Sequence, residues 1–144
     1  DRLRADPALV DSAVEEMLRF ESPVQVDART AFEPVEIDGH TITTGETVVT
    51  FLGAANRDPA VFPDPDRFDV TRHPNHPLSF AAGIHYCLGA NLARLEGRVV
   101  FDRLTRRFAD IAWLDNGPDW RGTLILRGVN HLNVAVTPKE GTTR

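Results

Sequence analysis

Two stretches of the chain carry the apolar spacing of amphipathic helices. In the first, apolar residues recur three and four positions apart after Asp6 and Pro7, at Leu9, Val10, Ala13, Val14, Met17 and Leu18. Aspartate is a favoured helix cap and proline a favoured first helical residue, whereas the residue before Pro23 is pushed out of the helical region. The second stripe, within residues 88–109, comprises Leu88, Leu92, Leu95, Val99, Leu104 and Phe108. These patterns predict two long helices, each with one buried face.

The rest of the chain predicts short strands and a long loop. Residues 24–52 are rich in β-branched side chains, and Asp38-Gly39 is a hairpin turn signal between residues 35–37 and 41–43. A short helix is expected within residues 51–57. Residues 58–77 contain five prolines and predict an irregular connection, which is usually functional or well packed when it is this long. Near the C-terminus, residues 123–126 and 132–136 are predicted to pair as a hairpin.

Composition and charge exclude several classes of protein. The net charge of −5 argues against general nucleic-acid binding, which favours a basic surface. The longest apolar run, residues 47–55, is much shorter than the ~20 residues of a membrane-spanning helix and contains Gly53. We see no signal peptide. The single cysteine, Cys87, excludes an internal disulfide, so we expect a cytoplasmic protein.

The strongest chemical signal surrounds Cys87, within the string FAAGIHYCLGANLAR at residues 80–94. A cysteine immediately before a long helix lies near unpaired N–H groups and the positive end of the helix dipole, which favour the metal-binding thiolate. Gly83 and Gly89 bracket it and permit the close approach of a flat ligand, while Phe80 could cover the sulfur. A lone cysteine is more often a small buried hydrophobe, but this long string with fixed spacing favours a ligand.

This string resembles the haem-binding signature of the cytochromes P450, the haem-thiolate monooxygenases. The resemblance implies that Cys87 is the axial ligand of a haem b iron (iron protoporphyrin IX), and that Phe80, Gly83, His85, Gly89 and Ala93 belong to the haem-binding segment. A thiolate ligand donates electron density that favours O–O cleavage. The fold implied is α+β: the C-terminal part of the mainly helical P450 fold, with two long helices, small β-sheets, a proline-rich meander and a cysteine haem loop.

A second motif agrees with the resemblance. Glu16 and Arg19 lie three residues apart and therefore on one face of the first predicted helix. Taken alone, they would be interpreted as an exposed ion pair of little energetic value. In the family, Glu-x-x-Arg is part of a buried structural triad, and the resemblance assigns the third position to Arg67, in Pro-Asp-Arg-Phe.

The resemblance also implies ligand contacts outside the cysteine string. Arg29 and His85 match positions that bind the haem propionates; otherwise Arg29 would be an exposed strand residue and His85 a loop histidine. Possible substrate contacts are Val24 and Gln25 after the first helix and Ile125 and Leu126 near the C-terminus, although ordinary strand packing explains these four equally well.

The second helix suggests an electron-donor surface. It carries Arg94, Arg98, Arg103, Arg106 and Arg107 against Glu96 and Asp102. A basic patch there could bind an acidic ferredoxin or a flavoprotein. A solvated helix face whose arginines suit the C-terminal dipole is an equally good interpretation.

We interpret residues 1–144 as one part of a single larger domain. The chain begins with Asp1 rather than Met, and residues 1–6 look like the tail of an earlier element. The resemblance covers residues 7–138 and lacks the family's distal helix, which carries the acid–alcohol pair for O₂ activation. The favoured function of the parent is insertion of one oxygen atom of O₂ into a small organic substrate. The alternatives are a peroxide-using or isomerising relative, a non-catalytic remnant, or a partner-binding fragment.

Overall fold

The two predicted long helices are present, each slightly shorter than its sequence pattern. The computed structural model describes residues 1–141. After α1 (Arg2–Ala5), Asp6 caps a 3₁₀ turn at Pro7–Leu9 by accepting a hydrogen bond from the Ala8 N–H at 3.1 Å. Then α2 spans Val10–Phe20, and the second long helix, α4, spans Ala90–Arg107.

The long helices pack against each other through a small residue. A Cβ atom built on Gly97 of α4 would lie 3.2 Å from a methyl carbon of Val14, which is a tight contact. Glycine at this position therefore lets α2 and α4 approach closely. Two ion pairs cross the same interface, Glu15 with Arg94 and Asp11 with Arg98.

Within the described residues, the strands form four two-stranded antiparallel sheets. Strand β1 (Asp27–Thr30) pairs with β4 (Thr47–Thr50). In the sequence between these two strands, β2 (Val35–Ile37) pairs with β3 (His40–Ile42) as a separate hairpin. Asp38 and Gly39 have φ angles of 49° and 78°, which confirms the predicted hairpin turn. The short helix α3 (Leu52–Ala55) follows β4 as expected.

The predicted C-terminal hairpin between residues 123–126 and 132–136 is wrong. Strand β8 (Val134–Pro138) instead pairs with β5 (Phe108–Trp113), which continues directly from α4. Strands β6 (Asp119–Trp120) and β7 (Val129–His131) form a separate pair. The segment before β7 turns away and makes a bridge from Leu126 to Val24. Residues 123–126 form no strand apart from this bridge, and the pairing of β8 depends on the distant strand β5.

The core is small and lies between α2, α3 and the proline-rich meander. Its buried apolar residues include Ala13, Val14, Val26, Leu52, Phe62, Val70 and Ala90. Other apolar side chains face outward, including Leu88, Leu92, Leu95 and Val99 around the start and outer face of α4. The second predicted stripe is thus largely exposed in this chain.

Candidate functional site

Cys87 lies in an exposed loop at the entrance to α4, with a free thiol. Its N–H donates to Phe80 O at 2.9 Å, and its carbonyl accepts from Ala90 N–H at 3.2 Å, so both sides of the loop are tied to defined positions. A 3₁₀ turn at Gly83–His85 lies between Phe80 and Cys87 in the sequence. The structure therefore presents the Cys87 sulfur on a constrained, exposed loop.

The loop contains two residues in the left-handed region of backbone conformation. Ala81 has a φ of 57° and Gly83 a φ of 63°. An added Cβ on Gly83 would meet nothing within 4 Å, so glycine is favoured here by backbone conformation rather than by crowding. Gly89 differs, since its φ of −84° is accessible to any residue. A non-glycine residue held at positive φ is the kind of local strain found at ligand sites.

Arg29 and His85 line the same open pocket of about 380 Å³. Its remaining lining comes from β1, from β4 and α3, and from the segment before the 3₁₀ turn: Asp27, Thr50, Phe51, Leu52, Ala55, Leu78, Ala81 and Ala82. The lining is mostly apolar, and Arg29 contributes a cationic side chain to it. The structure thus brings together two of the predicted site residues that lie 56 positions apart in sequence.

Asp27 is the immediate partner of Arg29. Their side chains approach to 2.7 Å, and both remain about one-third exposed. Hydrogen bonding from Arg29, followed by that from the Ala28 N–H, lowers the pKa of Asp27, with a smaller contribution from His85. The same hydrogen bond raises the pKa of Arg29. A negatively charged ligand would meet one arginine already paired with a carboxylate.

These features fit a haem group. The free thiol of Cys87 is exposed, the pocket that His85 lines is mostly apolar, and Arg29 and His85 supply hydrogen-bond donors for carboxylates. A thiolate is a known axial ligand of haem iron. The donor set and the apolar lining fit the group that the cysteine string implies.

The Glu16–Arg19 pair is fully buried rather than exposed. Arg19 Nε lies 2.8 Å from Glu16 Oε2, and both side chains are 0 % exposed. Arg19 also donates to three main-chain carbonyls, those of Asn56, Pro65 and Arg67. The pair therefore ties α2 to α3 and to the meander.

Arg67 is not the third member of the triad. Its side chain is 64 % exposed and pairs with Asp69, while only its carbonyl turns inward to accept from Arg19 and Arg72. Arg72 Nε lies 3.3 Å from Glu16 Oε2 with its side chain 10 % exposed. The turn of the meander at this point decides which arginine faces inward, and the sequence pattern does not specify it.

Glu16 is held charged despite its burial. Burial alone raises its pKa, but hydrogen bonds from Arg19 and from the Asp69 N–H, together with the charges of Arg19 and Arg72, leave the pKa lowered from its ordinary value of 4.5. Asn75 adds a further donor at 3.0 Å. The sequence pattern did not predict Arg72 and Asn75; their one visible signal is their place in the proline-rich segment.

Arg94 connects the cysteine loop to both long helices. Its guanidinium lies 4.6 Å from the ring centroid of Phe80, donates to Tyr86 Oη at 2.7 Å and makes a bidentate contact with Glu15. The bond to Glu15 raises the pKa of Arg94 well above its ordinary value. Ala93, the preceding residue, is half-buried and donates its N–H to Gly89 O. The sequence placed Arg94 in the donor patch, whereas the structure gives it a role beside Phe80.

The predicted donor patch is partly neutralised within the chain. Arg94 pairs with Glu15, Arg98 with Asp11, and Arg106 with Asp102. The free positive charge on α4 is therefore smaller than the sequence indicated.

The four candidate substrate residues come together in one strand contact. Val24 bridges to Leu126, and the Gln25 N–H donates to Ile125 O at 2.9 Å. The Gln25 amide also donates to Ser22 O, and its Oε1 would lie 2.5 Å from a Cβ built on Gly53. Ile125 and Leu126 are more than half exposed. The apolar side chains are thus freer to meet a ligand than the amide of Gln25.

No helix within residues 1–141 has the length and hydropathy needed to cross a membrane.

Comparison with known proteins points to one family. The sequence model of the family described as cytochrome P450 matches residues 3–112. The biotin biosynthesis cytochrome P450 of Bacillus subtilis is 51 % identical over 117 residues, with 78 % of this chain and 30 % of that protein covered. The 6-deoxyerythronolide B hydroxylase of Saccharopolyspora erythraea is 48 % identical over 134 residues, with 92 % of this chain and 33 % of that protein covered.

The fold gives the same result. The crystal structure of P450BioI in complex with an acyl carrier protein ligated to hexadec-9Z-enoic acid superposes with a TM-score of 0.90 at 46 % identity. The superposition covers 94 % of this chain and 35 % of that one. This chain thus spans about a third of the length of the proteins it matches. Sequence, fold and the cysteine loop together establish that the chain belongs to the cytochrome P450 family.

Proposed function

We propose that the protein containing this chain is a haem-thiolate monooxygenase in which Cys87 is the axial iron ligand. The parent enzyme inserts one oxygen atom of O₂ into a small organic substrate, with electrons from a ferredoxin or flavoprotein. A cytoplasmic location is part of the same proposal, because the lone cysteine is assigned to iron rather than to a disulfide.

One observation carries the proposal: the free thiol of Cys87 is presented on a constrained loop whose 3₁₀ turn delivers His85 into the pocket of Arg29. In this proposal Cys87 supplies the axial sulfur for the haem iron, and Arg29 and His85 supply hydrogen-bond donors for the haem carboxylates. Haem b, when bound, supplies the O₂ activation and oxygen insertion, while the protein binds, orients and tunes it.

The other residues have supporting roles in this proposal. Arg29 and His85 donate to the haem propionates, and Phe80 covers the sulfur while Arg94 stacks on its ring. Gly83, Gly89 and Ala93 leave room for the flat group. Val24, Ile125 and Leu126 present apolar surface to the substrate, with Gln25 beside them. Glu16, Arg19 and Arg72 form a structural centre that fixes the meander.

The electron donor is proposed to bind along α4, the helix that begins beside the cysteine loop. Arg103 is exposed on this helix, and Arg107 lies beside Phe108, so positive charge persists at its C-terminal half. An acidic donor would associate faster at low salt than at high salt.

The axial ligand is tested with the full-length protein by its reduced, carbon monoxide-bound absorption spectrum. The wild type is expected to give the strongly red-shifted Soret band of thiolate ligation. Cys87→His is the matched variant, because it retains an iron ligand and removes the sulfur. Bound haem without the red-shifted band is expected for Cys87→His; an unchanged spectrum would overturn the assignment.

The oxygen step is tested separately. Product should form under O₂ with a reduced ferredoxin and appropriate substrate. Product that forms with hydrogen peroxide but never with O₂ and reductant would replace the monooxygenase reaction with a peroxide-dependent one, while leaving the haem-thiolate site in place.

A further inference from the structure

The side chain of Asn56 joins the end of α3 to two other segments, at Ser22 and at Leu78–Ser79. Asn56 is 0 % exposed and follows α3 directly. Its Nδ2 donates to Ser22 Oγ at 2.7 Å and to Ser79 Oγ at 2.9 Å, and its Oδ1 accepts from Leu78 N–H at 2.7 Å. Both amide protons and the amide oxygen are therefore used.

The surrounding hydrogen bonds specify an amide rather than a carboxylate. The Ser79 hydroxyl donates to Leu18 O at 2.6 Å, and the Ser22 hydroxyl has Leu18 O at 3.1 Å, Arg19 O at 3.3 Å and Ser79 Oγ at 3.4 Å within reach. Since both serine protons have acceptors other than Asn56, the serine oxygens accept from Asn56, and the position needs a group with two N–H donors. An aspartate would place a buried negative charge against two acceptors.

The same residue connects two segments that line the pocket. Leu52 and Ala55 of α3 are lining residues, and so are Leu78, Ala81 and Ala82 of the segment before the 3₁₀ turn, alongside Arg29 and His85. The Asn56 main chain is bonded to Leu52 O and accepts from Arg19, so it belongs to the α3 side and to the buried ion pair. Its side chain holds Leu78 and Ser79, on the side of the cysteine loop.

We propose that Asn56 is a positioning residue for the haem loop, setting the separation between α3 and the segment that leads to Cys87. This inference rests on the proposed function, because it requires haem to occupy the pocket beside Arg29 and His85. Asn56 has no contact with the reacting atoms in this proposal. It acts through Leu78 and Ser79, which determine where the loop begins.

The two serines provide a matched pair of variants. Each accepts one bond from Asn56 and has Leu18 O within reach, but Ser22 lies after α2 and also reaches Arg19 O, whereas Ser79 lies on the loop segment. A purely structural network therefore predicts that Ser22→Ala is at least as disruptive as Ser79→Ala. The positioning role predicts that only Ser79→Ala and Asn56→Asp change the haem environment.

The test uses the full-length holoprotein with two readouts, the rate of haem transfer to excess apomyoglobin and the carbon monoxide-bound spectrum. Ser79→Ala is expected to speed haem loss about tenfold relative to Ser22→Ala, the equivalent of one hydrogen bond. Asn56→Asp should act in the same direction and move part of the spectrum to the neutral-thiol form.

The outcomes are distinguishable. Equal haem-loss rates for the two serine variants, with a wild-type spectrum for both, would overturn the positioning role while leaving the proposed function intact. A wild type without a thiolate-type spectrum would overturn the proposed function and this inference with it. If Asn56→Asp fails to fold, the serine pair still decides the question.

Discussion

Arg72 Nε lies 3.3 Å from Glu16 Oε2, in the place that the sequence motif assigned to Arg67. The two arginines are five residues apart on the meander. Arg72 directs its side chain inward, whereas Arg67 directs only its main-chain carbonyl inward. The carbonyl of Arg67 accepts from the guanidinium of Arg72 at 3.0 Å, while the side chain of Arg67 extends outward to Asp69. One arginine supplies the charge, and the other supplies an acceptor.

Replacing Arg72 should therefore be much more damaging than replacing Arg67. Arg72→Met leaves the buried carboxylate of Glu16 with one cation fewer and removes donors from the carbonyls of Pro63, Asp64 and Arg67. We expect a loss of about 3–5 kcal/mol, the usual cost of breaking a buried ion pair. The measurement is the free energy of unfolding by denaturant on the full-length protein.

Arg67→Met is the matched control. Its guanidinium is 64 % exposed, and an exposed ion pair such as the one with Asp69 contributes about 0–1 kcal/mol. A loss for Arg67→Met as large as that for Arg72→Met would restore the assignment made from the motif.

Stability should depend on pH through Glu16. Its folded pKa is depressed below the ordinary value of 4.5, because Arg19, Arg72 and the Asp69 N–H outweigh the effect of burial. A depressed carboxylate pKa contributes stability above the unfolded pKa and loses it as pH falls through the folded pKa. Glu16→Gln should thus be less stable than wild type at neutral pH, with the difference shrinking below pH 4.5.

Unfolding free energies measured across the acid range check this expectation. Glu33→Gln is the comparison, because Glu33 is an exposed loop residue outside the buried centre. Its curve should run parallel to that of the wild type. If the gap between wild type and Glu16→Gln stays constant down to strong acid, Glu16 contributes through packing alone.

Most elements of the fold followed from local physical chemistry. The 3.6-residue stripe after Asp6 and Pro7 predicted α2, and Asp38-Gly39 predicted the β2–β3 turn, because capping and positive φ are encoded by neighbouring residues. The pairing of β8 with β5 joins segments more than twenty residues apart. Several short strands near the C-terminus offered alternative partners, and the sequence does not rank them.

The candidate site likewise contains residues that the sequence pattern predicted and residues that it did not. Cys87, His85 and Gly83 were visible because they occupy fixed positions in one contiguous string. Asn56 and Arg72 were missed because their roles depend on burial and on the path of an irregular loop. A buried asparagine after a four-residue helix looks in sequence like any exposed helix end.

Arg94 should couple energetically to Glu15 and Phe80. Arg94→Lys retains the charge but loses the planar contact with the Phe80 ring and the bidentate geometry toward Glu15. With both ionic side chains about one-quarter to one-third exposed, we expect a modest loss of about 1 kcal/mol. A double-mutant cycle with Glu15→Gln measures the part due to the ion pair.

Arg98→Lys is the control on the same helix. Arg98 pairs with Asp11 across the same interface, but both side chains are more than half exposed. It should change the free energy of unfolding by less than Arg94→Lys does. Equal losses would mean that the stacking of Arg94 on Phe80 contributes nothing measurable.

Arg29 and Asp27 should have opposite effects on haem retention. Arg29→Gln removes the cation proposed to meet a haem propionate, so haem loss to excess apomyoglobin should accelerate by about five- to tenfold, the range expected for a partly exposed charge-assisted bond. Asp27→Asn removes a carboxylate that competes for the same guanidinium and repels a second anion. Its haem loss should be equal to or slower than that of the wild type.

The two substitutions break the same 2.7 Å ion pair, which makes each the control for the other. If the pair served only to stabilise β1, both variants would lose haem faster, and by similar factors. If Arg29→Gln speeds haem loss and Asp27→Asn does not, Arg29 lies beside a bound carboxylate. Loss of the cation and loss of the anion then have different effects because the charge of each faces the ligand. Acceleration in both variants would remove Arg29 from the proposed haem contacts and leave His85 as the remaining donor in that pocket.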